Sequence, residues 1–267
     1  DFLCDIMRKK NKNSYKGILH LKRNIDYKDE ISHYYQNSVG TDYVKISQFP
    51  KYVTELDLRN FLFRVEIFKK ILNIHGSILE LGVLFGGGLM SWAKLSSIYE
   101  PSNYSRKIVG FDTFSGFPSI SSKDKISKSI EKSRGMKNPK KQGNYVDSYD
   151  DLLKSISLYD RDRYQNQSPK VELVKGDVTK TLPKYLKENP HLIVSLLNLD
   201  LDIYSGTKEA LKLLLPLMPK GAIICFDELN HPNWPGETIA VIEELGIQNI
   251  RLKRFDFAPS PSYAILE

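Results

Sequence analysis

The feature that most constrains this chain is a row of short apolar runs, each ending in a carboxylate or a carboxylate-glycine turn. They are Ser77-Ile78-Leu79-Glu80-Leu81-Gly82, Ile108 to Asp112, Val171 to Asp177, Ile193 to Asp200 with Asp202 beyond it, and Ala222 to Asp227 with Glu228. Segments with helical periodicity separate them. Short apolar runs alternating with helical patterns read as parallel strands buried on both faces. The class is therefore α/β. Such sheets bind ligands beyond the carboxyl ends of their strands, so consecutive strands would set these acids along one rim.

The spacing predicts a helix over about 54–74, where Leu58, Phe61, Leu62, Val65, Phe68 and Leu72 recur at helical intervals and His75-Gly76 ends the pattern. Strands are expected at about 77–82, 107–112, 171–175, 192–199 and 222–227. Helices are expected from the glycine turn 86–88 to about 98, near 147–157, over about 180–188 and 206–217, and after Pro235-Gly236. Two last runs, about 249–255 and 262–266, can form an antiparallel hairpin closing the sheet. Residues 1–53 are polar and basic without a clear period. They read as an arm of short helices or loops, a candidate cofactor cover (through Tyr52, with Arg59 beyond it) or oligomer contact, ahead of a main domain over 54–267. A Lys/Ser-rich insertion interrupts that domain at about 119–168; stretches this long are as a rule functional or mobile.

With 267 residues and a net charge of +7, one domain with an appendage is expected. Much of the charge comes from Lys123 to Lys141, where eight Lys/Arg stand against Asp124 and Glu131. The run is either a solvated loop or a lid that attracts an anionic substrate such as a phosphosugar. Nucleic acid is not expected, because the run lacks aromatics for base stacking. No apolar run approaches the ~20 residues of a membrane span. Cys4 and Cys225 make no disulfide framework, and no Cys/His cluster has zinc spacing. No signal peptide is visible, which reads as a cytoplasmic protein.

Glu80-Leu81-Gly82-Val83-Leu84-Phe85-Gly86-Gly87-Gly88 is a strand-to-helix glycine turn. Glycines let backbone approach a ligand closely, and the helix start behind them offers unpaired N–H groups. The pattern departs from the G-x-G-x-x-G of dinucleotide sites and suits a nucleoside without a pyrophosphate. Asp112, at the end of the second strand, can accept both ribose hydroxyls. Gly176-Asp177, at the end of the third, can read an adenine amino group. Each acid alone is more often a cap, but in order on strands one to three they point to S-adenosylmethionine. Tyr204 and Trp234 follow nearby; each is either a packing residue or a wall for a sugar ring.

Several segments together resemble the macrocin O-methyltransferase (TylF/MycF-type) family over about 52–266. They are the Glu80–Gly88 turn, Gly110-Phe111-Asp112-Thr113-Phe114-Ser115-Gly116-Phe117-Pro118, Lys175-Gly176-Asp177-Val178 with Thr181-Leu182-Pro183, Leu199-Asp200-Leu201-Asp202-Ile203-Tyr204, and Phe226-Asp227-Glu228. His231-Pro232-Asn233-Trp234-Pro235-Gly236-Glu237 points to the branch acting on deoxyhexoses. The resemblance implies a class I S-adenosylmethionine methyltransferase (Rossmann-like) fold, a seven-stranded sheet, mostly parallel with a C-terminal antiparallel hairpin and helices on both faces. It implies S-adenosylmethionine as cofactor, S-adenosylhomocysteine as product, and Mg2+ or a similar divalent cation held by Asp200, Asp227 and Glu228. The family more often carries Asp in the third of these places. Asp202 is the implied general base, with His231 in reserve. Implied cofactor contacts are Glu80, Gly82, Val83, Phe85, Gly86, Asp112, Thr113, Ser115, Gly116, Gly176, Asp177, Val178 and Asp200. The implied acceptor is a small molecule or glycan, an anionic nucleotide sugar or deoxysugar, and the implied assembly is a homo-oligomer.

Other readings stay open at this stage. A catechol- or phenol-type O-methyltransferase uses the same metal logic but would want a flatter, more apolar slot. A binding module could keep the fold without catalysis, although the acids catalysis needs are all present. A nucleic-acid methyltransferase fits the charge but not the acidic rim, which would repel phosphates.

Overall fold

The computed structural model describes residues 22–124, 147–232 and 234–267. Most of the basic run, from 125 to 141, lies outside these residues. The chain divides into an N-terminal unit ending at Leu58 and a larger unit from Arg59 onward.

In the N-terminal unit, α1 (Lys22–Asn37) and α2 (Asp42–Ser47) precede a 3-10 turn at Phe49–Lys51. The 16-residue α1 corrects the expectation of short helices or loops. Its sequence is strongly polar, and Ile31, Tyr34 and Tyr35 make only a short apolar stripe by which to predict a helix. Tyr34 and Tyr35 gather around Tyr52 at 5.6 and 5.1 Å, and Lys45 Nζ donates to the Tyr35 carbonyl at 2.7 Å. Tyr52 thus packs within its own unit. A capping box opens α3 (Glu55–Ile71): Thr54 N–H donates to Asp57 Oδ2 at 3.0 Å, and Asp57 N–H donates to Thr54 Oγ1 at 3.1 Å.

The larger unit is built on a seven-stranded sheet. In chain order its elements are β1 (Ser77–Leu81), α4 (Gly87–Tyr99), β2 (Ile108–Asp112), α5 (Tyr149–Asp162), β3 (Val171–Lys175), α6 (Val178–Glu188) and β4 (Val194–Leu199). After these come α7 (Tyr204–Leu214), β5 (Ile223–Phe226), α8 (Pro235–Glu244), β6 (Lys253–Phe255) and β7 (Ala258–Ile265). The strand order is β3-β2-β1-β4-β5-β7-β6. The first five strands pair in parallel, while β7 runs antiparallel to both β5 and β6. Strand order reverses between β1 and β4, the topological switch point where open α/β sheets hold their ligands.

Alternate residues of each strand serve opposite faces. Ile78, Ile108 and Leu196 pack with Phe63, Ile67 and Trp92 from α3 and α4; Leu79, Val109 and Leu197 pack with Leu182, Leu211 and Val241 from α6, α7 and α8. The central strands β1 and β4 are buried along their whole length. In α3 the helix is where periodicity predicts it, but the buried stripe is Phe63, Ile67, Phe68 and Ile71, while Phe61 and Leu62 are exposed. Both sides of α3 are apolar, so spacing alone does not choose between them.

Candidate active site

The backbone sets out the site before any side chain does. Each central strand continues its ladder one residue past its end: Gly82 N–H donates to Phe111 O at 2.8 Å, Asp200 N–H to Leu81 O at 2.9 Å, and Asp227 N–H to Leu199 O at 3.2 Å. These bonds place Gly82, Asp200 and Asp227 side by side across the switch point. Gly82 has φ +95°, and a Cβ there would fall 1.8 Å from the Asp200 carbonyl oxygen. No other residue fits this approach. Further left-handed residues crowd the same rim, with Leu84 at φ 50°, Phe114 at 51° and Asp202 at 62°. Such conformations cost about 1–3 kcal/mol each and gather at functional sites.

Asp112 ties the first two strand ends together. Its Oδ2 accepts the N–H groups of Val83 and Leu84, both at 2.8 Å, and its Oδ1 accepts Phe114 N–H at 2.7 Å. A carboxylate has about four acceptor positions, so one remains for a ribose hydroxyl. Thr113 Oγ1 donates to Gly116 O at 2.6 Å and accepts Ser115 N–H at 3.2 Å, closing a tight turn. Val83 is buried, Phe85 stands exposed beside it, and Gly86 takes φ 83° as the N-cap of α4. On β3, Gly176 N–H donates to Asp112 O at 2.8 Å, and Asp177 caps α6 by accepting Thr179 N–H at 3.0 Å ahead of buried Val178.

Glu80 is 2% exposed and lies beneath the glycine turn. Trp92 Nε1 donates to its Oε2 at 2.6 Å. A Cβ on Gly88 would fall 2.4 Å from Glu80 Oε1 and 2.9 Å from Arg64 Nη2, so only glycine leaves room for this carboxyl and guanidinium. Burial raises the Glu80 carboxyl to about 7, against the pull of Arg64 and the Trp92 bond. Burial also raises Asp200 well above the ordinary range, and Asp227, Asp202 and Glu80 push it further. Asp227 is raised by burial and held back by Arg64 and His231. The rim is a crowd of acids, Glu80 buried and Asp200, Asp202 and Asp227 half-buried, with few cations to balance it.

Arg64, Trp92 and Glu237 are site residues that sequence reasoning missed. Arg64 shares a helical stripe with Ile67 and Ile71, which spacing alone does not mark as the inward one. Glu237 is fully buried on one stripe with Ala240 and Val241; its Oε1 accepts Glu228 N–H at 3.3 Å. Glu228 Oε2 lies 3.3 Å from His231 Nδ1. Tyr204, offered as a packing residue or a sugar wall, is held by its hydroxyl, which donates to Glu243 Oε2 at 2.6 Å and accepts from Lys123 Nζ at 2.9 Å. Trp234 is buried against Phe117, ring centroids 5.8 Å apart.

The donor set at the switch point is carboxylate oxygen, the chemistry that hard divalent cations take. Among the described residues no three His, Cys, Asp or Glu side chains are gathered into a ready-made metal centre. Mg2+ is usually bound through one or two carboxylates plus water and substrate oxygens, so the half-buried, mutually repelling pair Asp200 and Asp227 fits such an ion.

The sheet order, the glycine turn and the rim acids define a class I S-adenosylmethionine-dependent O-methyltransferase. The family model described as macrocin-O-methyltransferase (TylF) matches residues 58–239. The chain belongs to this family. Two solved structures are similar across nearly the whole length. One is CalS11, a calicheamicin methyltransferase, with 29% identity and a TM-score of 0.83 over 95% of this chain and 99% of that one. The other is apo CalS11, described as a TDP-rhamnose 3'-O-methyltransferase of calicheamicin biosynthesis, with 28% identity and a TM-score of 0.78 over 93% and 96%. The O-methyltransferase NovP, at 18% identity and a TM-score of 0.57 over 78% and 80%, shares the fold. No curated protein sequence matches the chain.

Proposed function

We propose that the protein transfers the methyl group of S-adenosylmethionine to a hydroxyl of a deoxysugar carried on a nucleotide or a glycan, assisted by a divalent cation. The observation that carries the acceptor class is the likeness to a TDP-rhamnose 3'-O-methyltransferase over 93% of the chain. The half-buried Asp200–Asp227 pair supports the cation, with Glu228 next in sequence, held toward His231.

When bound, the cation would lower the charge cost of the two carboxylates and favour the ionised form of a sugar hydroxyl. The Gly82–Gly88 turn and Asp112 bind the nucleoside end of the cofactor. Glu80 and Arg64, beneath that turn, would face its amino-acid end. The hydroxyl oxygen attacks the methyl carbon in line. The carbon–sulfur bond breaks with its electron pair going to sulfur, and S-adenosylhomocysteine leaves. Asp202 accepts the hydroxyl proton, with a general-base contribution of about 10²–10⁴-fold. Its left-handed φ of 62° turns it out of the strand direction immediately after β4.

The test is labelled-methyl transfer to TDP-deoxyhexoses and to catechols, with Mg2+ and with EDTA. Transfer to a deoxyhexose that EDTA abolishes is expected. Transfer to catechols alone would overturn the acceptor, and full activity in EDTA would overturn the cation. Asp200→Asn should lose turnover by two orders of magnitude or more, roughly, while S-adenosylhomocysteine still binds.

A further inference from the structure

Asp124 lies in the connection between β2 and α5, and its carboxylate meets the starts of two other helices. It is 7% exposed. Its Oδ1 accepts the N–H of Tyr204, the first residue of α7, at 2.7 Å. The same oxygen lies over Gly236, in the first turn of α8, where a Cβ would fall 1.9 Å from it. Its Oδ2 accepts Ser121 N–H at 2.7 Å. A buried carboxylate needs donors and a favourable potential. The start of α7 and Ser121 supply the donors, and the start of α8 lies against the same oxygen with its positive dipole end. The preceding residue makes a second tie, since Lys123 Nζ donates to Tyr204 Oη at 2.9 Å and to Glu243 Oε1 of α8 at 2.5 Å. Phe117 against Trp234 makes a third.

The two helices share one property: each is entered through an acid-bearing loop. Asp200-Leu201-Asp202-Ile203 leads into α7, and the segment from Asp227 to Trp234 leads into α8. Whatever fixes the two helix starts fixes the exits of both loops.

We propose that Asp124 is a positioning residue of the acceptor half of the site: its carboxylate clamps the starts of α7 and α8 and so holds the Asp200–Asp202 turn and the Asp227–Trp234 loop in register for methyl transfer. The proposal rests on the function given above, although the clamp is a property of the fold. The cofactor half is held independently, by Asp112 and the backbone bonds of β1 and β2. Asp124 therefore acts first on the acceptor and the reacting geometry; in the two loops it holds, Asp200 alone is an expected cofactor contact, so cofactor affinity should change little.

The experiment compares Asp124→Ala, Asp124→Asn and Gly236→Ala with the native protein by acceptor kinetics, S-adenosylhomocysteine calorimetry and amide hydrogen exchange. A displacement near 1 Å costs about 100-fold, so Asp124→Ala should lose roughly that in kcat/KM for the acceptor while cofactor affinity stays within about twofold. Asp124→Asn keeps an acceptor for Tyr204 N–H and should recover part of the loss. Gly236→Ala sets a Cβ 1.9 Å from the carboxylate oxygen and 2.6 Å from Tyr204 N, parts the same two helix starts, and should reproduce the loss. Exchange should quicken over 200–206 and 228–237 but not over 77–99. That readout needs no acceptor, so it tests the clamp even if the sugar assignment fails. Unchanged exchange with unchanged kcat/KM would overturn the proposal, as would a parallel loss of cofactor affinity and turnover. If Asp124→Ala does not fold, Asp124→Asn and Gly236→Ala decide by the same criteria.

Discussion

At Gly82 a hydrogen atom stands where any other residue would carry a carbon, 1.8 Å from a carbonyl oxygen and at φ +95°. Gly82→Ala must either part β1 from β4 or flip the turn. We expect a loss of about 4 kcal/mol or more, read from urea unfolding. Glu80 sets a pH dependence whose sign follows from its environment. Its carboxyl rises from 4.5 to about 7 on folding, so the folded protein keeps a proton that the unfolded chain releases. Stability from this group is full below pH 4.5, falls as pH rises, and levels off above about 7, a change of about 3 kcal/mol. Glu80→Gln keeps an acceptor for Trp92 and should flatten that part of the ligand-free stability curve between pH 5 and 8. An unchanged slope would show that Glu80 is ionised throughout. The rim acids were legible because each closes an apolar run. Arg64 and Glu237 were not, because their significance depends on which helix stripe faces inward.

Elements were more legible than their faces and ends. The five parallel strands lie within two residues of their expected bounds, since buried parallel strands leave near-continuous apolar runs, whereas the closing pair, expected at about 249–255 and 262–266, runs over Lys253–Phe255 and Ala258–Ile265. In α7 the helix starts at Tyr204 rather than near 206, because Asp124, eighty residues away in sequence, accepts its first N–H. No local pattern carries that information. Arg106 shows the same non-local logic at the opposite end of the strands. Its guanidinium is buried, donating to Glu100 at 2.7 Å, to Gly76 O at 2.9 Å, and to Ile71 O and Ile74 O at 3.1 and 3.0 Å. It satisfies carbonyls at the end of α3 and joins that helix to β1 and α4. Arg106→Met should cost about 3–5 kcal/mol, because it strands Glu100 and the carbonyls together. The loss should appear in the denaturant midpoint and leave cofactor affinity per folded molecule intact.

At the scale of the whole molecule, the α/β class and the antiparallel closing pair follow from the alternation of patterns, and the family follows from segments on five strand ends. The order β3-β2-β1-β4-β5-β7-β6 does not, since periodicity places strands along the chain and not beside one another. Among the described residues no helix is long and apolar enough to cross a membrane. The chain holds two tryptophans, and the fold distributes them one to each half of the site. Trp92 bonds to Glu80 beneath the cofactor turn, and Trp234 packs on Phe117 at the start of α8. The molecule thus carries two intrinsic fluorophores with separate views. In Trp234→Phe the emission should respond to S-adenosylhomocysteine, and in Trp92→Phe to the sugar acceptor, so the order in which the two reactants arrive can be followed by stopped flow without any added label.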